Sequence, residues 1–231
     1  MQPAPSSVQP ESIADKVYRL LRQDIAAGVF RPGDRIIEKA LAGRWNISRT
    51  PIREALLKLE TEGVVVCTSR RSYNVRILTV QDVREIYETL GLLEGAIAAA
   101  VAQRLAGPDF DQLEHFNQMM DLAAAGADLP RFGEWNRKFH DVFILKLQNR
   151  TVRDTCDLVR GLLYTFPVRR ATLAAWLHKS VAEHRMIIRL AGEGDAEALG
   201  AYFRTVHWGF DHNQRFITDA FDREGEPAVH L

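Results

Sequence analysis

The chain has 231 residues, 46% of them hydrophobic and 26% charged, which supports one or two domains with real cores and excludes a disordered polymer. It has no apolar run approaching the roughly 18 residues of a membrane span, and it begins without a charged-then-apolar leader. Its two cysteines, Cys67 and Cys156, lie far apart with no Cys-x-x-Cys spacing. A spanning segment, a disulfide scaffold and a cysteine-rich zinc module are thereby excluded, and a cytoplasmic protein with both thiols buried as small side chains is expected. Net charge is zero overall, yet residues 1–77 carry 13 Lys/Arg against 8 Asp/Glu, net +5, whereas residues 78–231 carry 17 against 22, net −5. A basic first half suits an anionic partner such as nucleic acid, because neutralising phosphate supplies much of the affinity.

Residues 1–11 hold three prolines and two serines with little to bury, and are expected to form a flexible tail. A first domain is expected over 12–77. Ser12-Ile13-Ala14-Asp15 has the form of a capping box, and Val17, Leu20, Leu21 and Ile25 follow at helical spacing up to Gly28. Arg31-Pro32-Gly33-Asp34 then turns the chain. Glu38 to Trp45 reads as a short amphipathic helix with Leu41 and Ala42 inward, joined through Asn46, which tolerates the left-handed conformation of a tight turn. The next helix is predicted to start near Arg49. Ser48 is its expected N-cap, accepting from a backbone N–H; Pro51 sits in the first turn, where N–H groups lack helical partners anyway, and Gly63 closes the helix. Ile52, Ala55, Leu56 and Leu59 share one face, so Arg49, Thr50 and Arg53 project from the other. Two short helices about such a turn make a helix-turn-helix, whose second helix enters the major groove of double-stranded DNA with its first side chains on base edges. Val64 to Cys67 and Tyr73 to Arg76 are β-prone around Thr68 to Ser72, which predicts a two-stranded wing with Arg70 and Arg71 at its tip, placed to touch DNA.

From residue 78 onward the pattern is helical. Helices are predicted over 79–105, 109–125, 130–148, 151–170, 177–192 and 195–221, punctuated by Gly107-Pro108, Gly126, Gln148-Asn149 and Gly192-Glu193-Gly194. Ile86, Leu90, Leu93, Ile97 and Val101 form one apolar stripe; Leu158, Leu162 and Phe166 form another. The fold class is therefore mainly α: an N-terminal winged helix-turn-helix with a small β wing, and an all-α bundle of six to seven helices over 78–231. Trp135, Phe139, Tyr164, Phe166 and Trp208 are candidates to line a partly apolar cavity in that bundle. His115, His178, His212 and His230 match no pattern and are expected at the surface.

The run Arg31-Pro32-Gly33-Asp34-Arg35-Ile36-Ile37-Glu38-Lys39-Ala40-Leu41-Ala42, followed by Ile47-Ser48-Arg49-Thr50-Pro51-Ile52-Arg53-Glu54-Ala55-Leu56, closely resembles the winged-helix domain of GntR-family bacterial transcription regulators. The resemblance implies that Lys39, Ser48, Arg49, Thr50, Pro51 and Arg53 lie on the DNA face, with Lys39 on phosphate. The family usually places glycine in the wing turn, where Ser72 stands here. The second half resembles the FCD ligand-binding domain of the FadR-type subfamily through Leu93-Glu94, Asn136-x-x-Phe139-His140 with Asn149 beyond, Glu183-His184, and His207. In that family an Asp and a His four residues apart, with two further histidines, hold a divalent metal; the matching positions are Asn136, His140, His184 and His207. Imidazoles from facing helices suit borderline metals such as Zn²⁺, Ni²⁺ or Mn²⁺, and Asn136 replaces the expected aspartate with a neutral ligand. Asp141, one residue on from His140, points about 100° away and is a poor substitute. Many relatives also pair a carboxylate effector with an arginine where Leu90 stands, leaving Arg137, Arg160 and Arg169 as candidate effector contacts. The resemblance thus implies a ligand-responsive regulator and not an enzyme. The regulator is expected to be a repressor, a homodimer on a two-fold symmetric operator, with a small-molecule effector and no membrane association. The alternatives are a regulator for which the metal is the signal, and a helical metalloenzyme with a DNA-binding appendage.

Overall fold

The computed structural model describes residues 11–69, 72–165 and 173–221, so the tail up to residue 10, Arg70 and Arg71, Phe166, Arg169 and His230 lie outside the described residues. The chain separates into two compact units, changing over at Ile77–Leu78. In the first, the Ser12 hydroxyl accepts from the Asp15 N–H at 3.0 Å and starts α1 (Ile13–Ala26). Val17, Leu21 and Ile25 are buried, whereas Leu20 is 46% exposed: it flanks the inward stripe instead of joining it. Gly28, at φ 74°, ends the helix region.

β1 (Arg35–Ile37) is a strand that the sequence did not announce, because three residues with only Ile36 buried show no periodicity. It runs directly into α2 (Glu38–Trp45), in which Leu41 is buried and Ala42 half-buried. Asn46 takes the left-handed conformation (φ 51°, ψ 47°) that the turn requires, and α3 (Arg49–Thr61) follows. Ser48 occupies the N-cap position with extended backbone, but it makes no side-chain cap hydrogen bond, contrary to expectation. The cause is Pro51. It fills the third helical position, whose N–H an N-cap hydroxyl normally accepts from, and proline has none to give. Gly63 ends α3 at φ 74°.

β2 (Val65–Ser69) and β3 (Ser72–Val75) complete an antiparallel sheet of order β1-β3-β2. Ser72 is a buried strand residue opposite Ile37 and Ser69, and its hydroxyl accepts from Arg35 Nε at 2.6 Å. No positive φ is demanded of it. Cys67 is exposed, against expectation, and stands at the point of β2 after which the register shifts; Cys156 is buried.

The second unit holds helices and no strand among its described residues: α4 (Val80–Val101), α5 (Gly107–Ala125), α6 (Leu129–Lys146), α7 (Arg150–Thr165), α8 (Leu173–Glu193), α9 (Ala196–Tyr202) and α10 (Phe210–Phe221), with a 3-10 turn at Ala102–Arg104. A capping box between Thr79 and Asp82 starts α4, whose stripe of Ile86, Leu90, Ile97 and Val101 is buried while Leu93 is half-buried. On α7 the inward residues are Cys156, Arg160 and Leu163; Leu158 is 45% exposed and Leu162 half-buried. Hydropathy alone set the phase of this helix wrongly, because its inward stripe contains an arginine. The helix expected as continuous over 195–221 is broken by a π turn at Phe203–His207, marked by the Trp208 N–H donating to the Phe203 carbonyl at 2.8 Å. α4 and α9 cross at glycines, where a Cβ on Gly95 would sit 2.8 Å from the Gly200 carbonyl oxygen.

Candidate DNA interface and candidate metal centre

On α3 the apolar face packs fully: Ile52, Leu56 and Leu59 are sealed and Ala55 nearly so. That fixes the rotation of the helix and leaves Ser48, Arg49, Thr50 and Arg53 exposed around its first turns, with Pro51 half-buried. Lys39 is exposed on α2. The structure thus presents Lys39, Ser48, Arg49, Thr50 and Arg53 to solvent on the two helices about Asn46. Arg70 and Arg71 fall outside the described residues. Glu38, at the start of α2, is a buried carboxylate 3.6 Å from Arg53 Nε that the sequence pattern did not single out.

In the second unit three helical segments converge. His140 from α6, His184 from α8 and His207 from the π turn are all buried, and one ring nitrogen from each lies within 4.8 Å of the others. His140 Nε2 is 3.2 Å from His207 Nε2 and 3.5 Å from His184 Nε2. Asn136 is buried one helical turn before His140 on the same α6 face. Phe139 packs on the His184 ring at 4.2 Å between centroids, and Trp208 and Phe203 close on His140.

Two carboxylates stand behind the imidazoles. Glu94 on α4 approaches His140 Nδ1 at 2.6 Å and accepts from Trp208 Nε1 at 3.0 Å, with Arg160 Nε 3.7 Å away. Burial opposes its charge, but the histidine, the arginine and the indole N–H outweigh that and hold its pKa down at about 2. Glu183 on α8 approaches His207 Nδ1 at 3.0 Å and is bound by Lys179; burial again works against ionisation, while His207 and Lys179 lower its pKa. Burial lowers the His140 pKa despite Glu94, and burial together with the neighbouring imidazoles drives His184 well below its ordinary value.

Ionised carboxylates only accept, so the contacts of Glu94 and Glu183 with Nδ1 suit tautomers of His140 and His207 that carry the proton on Nδ1 and turn an Nε2 lone pair inward. Zn–N bonds of about 2.0–2.1 Å at tetrahedral angles place ligand nitrogens about 3.3–3.4 Å apart, close to the 3.2 and 3.5 Å found here. The donor set therefore fits a borderline divalent metal. Arg160, a candidate effector contact, is 2% exposed and bound by Asp141 and Asp157 at 2.7 and 2.8 Å as well as facing Glu94. Arg137 is exposed on α6, and Arg169 lies outside the described residues. Of the candidate cavity aromatics, Phe139 and Trp208 reach the histidines, whereas Trp135 stacks on Phe116. His115, His178 and His212 are exposed.

Residues 13–75 match the model of bacterial regulatory proteins, gntR family, and residues 85–206 match the FCD domain. The chain belongs to the GntR family. As a GntR regulator with an FCD domain it is 28% identical over 185 residues to the uncharacterized HTH-type transcriptional regulator YdhC of Bacillus subtilis (strain 168), covering 78% of this chain and 81% of that one. It is 29% identical over 151 residues to the HTH-type transcriptional repressor RspR of Escherichia coli (strain K12), covering 65% and 66%. Two solved structures share the fold: E. coli McbR/YncC, with TM-score 0.69, 22% identity and coverage of 90% and 97%, and a putative GntR regulator from Rhodococcus sp. RHA1, with TM-score 0.73, 20% identity and coverage of 89% and 98%. In this GntR chain the exposed start of α3 falls inside the first match and His140 and His184 inside the second, with His207 immediately after it. Among the described residues no helix is long and apolar enough to cross a membrane.

Proposed function

We propose that this GntR/FCD transcriptional regulator is a ligand-responsive repressor. It binds a two-fold symmetric operator as a homodimer through residues 12–77, and residues 78–231 carry the dimer contact and a divalent metal. Lys39, Ser48, Arg49, Thr50, Pro51 and Arg53, with Arg70 and Arg71 on the wing, form the DNA face; two copies on two half-sites supply the area that one small reading head lacks. Leu92, Leu122 and Leu158, exposed on the second unit, are apolar area available to a partner copy.

The observation that carries the metal reading is the pair of Nε2 atoms of His140 and His207, 3.2 Å apart with both Nδ1 atoms turned to carboxylates. Two inward lone pairs at that separation repel unless a cation, or a proton carried by one of the rings, lies between them. His140, His184, His207 and Asn136 would hold the metal, and when bound it supplies a Lewis-acidic position for an oxygen donor of a small molecule. Arg160, already bound by three carboxylates, orients Glu94 and does not serve as a free anion receptor. An effector acts on operator affinity only as far as it binds one arrangement of the paired heads more tightly than the other. The test is metal content and melting temperature of the full chain with and without chelator, for the parent and for His184→Ala. Metal in the parent, lost with His184, is the expected result; metal-free protein with chelator-independent melting overturns the metal reading.

A further inference from the structure

The first unit has one buried charged side chain among its described residues, and it lies next to the reading helix. Glu38 is 4% exposed, with its Oε1 sealed from solvent and taking no hydrogen bond. Arg53 Nε stands 3.6 Å from that oxygen, beyond hydrogen-bond reach, and the arginine side chain is 58% exposed. Both backbones are rigidly placed. Ile36 and Ile37 are paired to Tyr73 and Ser72 of β3, and the chain enters α2 at the very next residue; Arg53 follows Ile52 and precedes Ala55 and Leu56, all buried. The pair therefore joins the wing sheet to α3.

A guanidinium has two edges that can bind bidentately, one of which contains Nε and the other the two Nη atoms. With the Nε edge nearest Glu38 and the side chain 58% exposed, the Nη fork is the edge left for another partner. That fork matches guanine O6 and N7 in the major groove. A buried anion here also disfavours any docking that brings a phosphate to the same spot, and its pull on Arg53 strengthens as DNA displaces water. We propose that Glu38 is a positioning residue of the reading head: it orients Arg53 toward a base edge and, by its charge, separates specific from non-specific binding. The proposal rests on the proposed contact of α3 with DNA through Arg53.

The experiment uses the full chain, a duplex that the parent protein selects from a randomised pool, and poly(dI-dC) as the non-specific duplex. Glu38→Gln keeps the size and removes the charge. Its affinity for the selected duplex should fall about tenfold, while affinity for poly(dI-dC) stays level or rises, so that the ratio narrows. Arg53→Ala should lose selected-duplex affinity too, and adding Glu38→Gln to it should cost nothing more, since the two act as one unit. Arg53→Lys, which keeps an exposed charge without the fork, should mimic Arg53→Ala on the selected duplex and match the parent on poly(dI-dC). Should Glu38→Gln fold poorly, Glu38→Asp, whose shorter arm draws the charge back from Arg53, should narrow the ratio in its place, and an unchanged ratio there overturns the role of Glu38. An unchanged ratio in Glu38→Gln alongside weakened Arg53→Ala overturns the role of Glu38 and leaves the DNA face standing. Equal losses on both duplexes would make Glu38 merely structural and overturn it likewise. Full affinity in Arg53→Ala would overturn both readings.

Discussion

Asn136 stands one turn before His140 on α6, buried, and offers a neutral amide where the family resemblance leads one to expect a carboxylate. All four proposed ligands are then uncharged, and the negative charge near them comes from Glu94 and Glu183 behind the imidazoles. Such outer carboxylates raise ligand basicity and lock ring orientation. Asn136→Asp is expected to tighten Zn²⁺ binding in calorimetric titration, and Glu94→Gln to weaken it by roughly tenfold to a hundredfold. Equal affinities for parent and both variants would rule out a metal at this cluster. Glu94→Gln should also lower the melting temperature without metal, because Arg160 and His140 lose a buried charged partner. The histidines were visible in the sequence at their family spacings. The carboxylates were visible only as letters of those signatures, since nothing in the local pattern of α4 or α8 tells which ring nitrogen each one faces. Glu38 went unnoticed for a similar reason: an acid at a helix start is ordinary, and only the strand before it buries this one.

At the scale of elements, the histidine cluster depends on where α4 can lie. α4 carries Glu94 and crosses α9 at contact distance, since a Cβ on Gly95 would meet the Gly200 carbonyl oxygen at 2.8 Å, and one on Gly200 the Gly95 carbonyl oxygen at 2.8 Å. Backbone cannot yield as a side-chain tip does, so Gly95→Ala and Gly200→Ala should each destabilise the second unit by about 1–3 kcal/mol. Gly133→Ala on α6, with nothing within 4 Å of its Cβ, should be neutral or stabilise by up to about 1 kcal/mol. Urea unfolding of the three variants checks this, and equal midpoints would contradict the close crossing. The π turn after α9 matters to the same geometry, because adding a residue to one turn brings both His207 and Trp208 onto the cluster. A Cβ on Gly209 would overlap the Thr205 carbonyl oxygen, so that glycine is needed for the break. The periodicity of 195–221 gave no sign of it: a single glycine without proline or a polar run reads as tolerated within a helix. The other helices were legible because their apolar stripes are long and Gly107-Pro108, Gly126 and Gln148 punctuate them, with Gln148 at φ 57°. β1 and the phase of α7 were not, the one being too short to show a period and the other having Arg160 on its buried side.

For the whole molecule, charge and protonation set the remaining expectations. The division of charge into +5 over residues 1–77 and −5 over 78–231 supports the proposed DNA contact of one unit and the proposed self-association of the other. Sedimentation of the full chain should therefore give a dimer at micromolar concentration, and a monomer there would remove the two-fold operator from the proposal. The protonation argument turns on His140 and His184, both held below the ordinary histidine value by burial. In the folded chain they are neutral at pH 7, whereas in the unfolded chain they take up protons as pH drops through about 6.5. Their contribution to stability is complete above about 6.5 and is lost progressively as pH falls from there toward their lowered folded values. Glu94, held at about 2, stays ionised through that window and adds no slope of its own. In chelator the melting temperature of the second unit should thus decline from about pH 6.5 downward, and His184→Ala should flatten the decline. With Zn²⁺ present, binding should persist somewhat below pH 6.5, since the folded histidines need no deprotonation until their depressed values are reached. A chelated protein whose melting temperature is level from about pH 8 to pH 5, or a His184→Ala variant with the parent's slope, would show that these imidazoles are not held neutral by the fold.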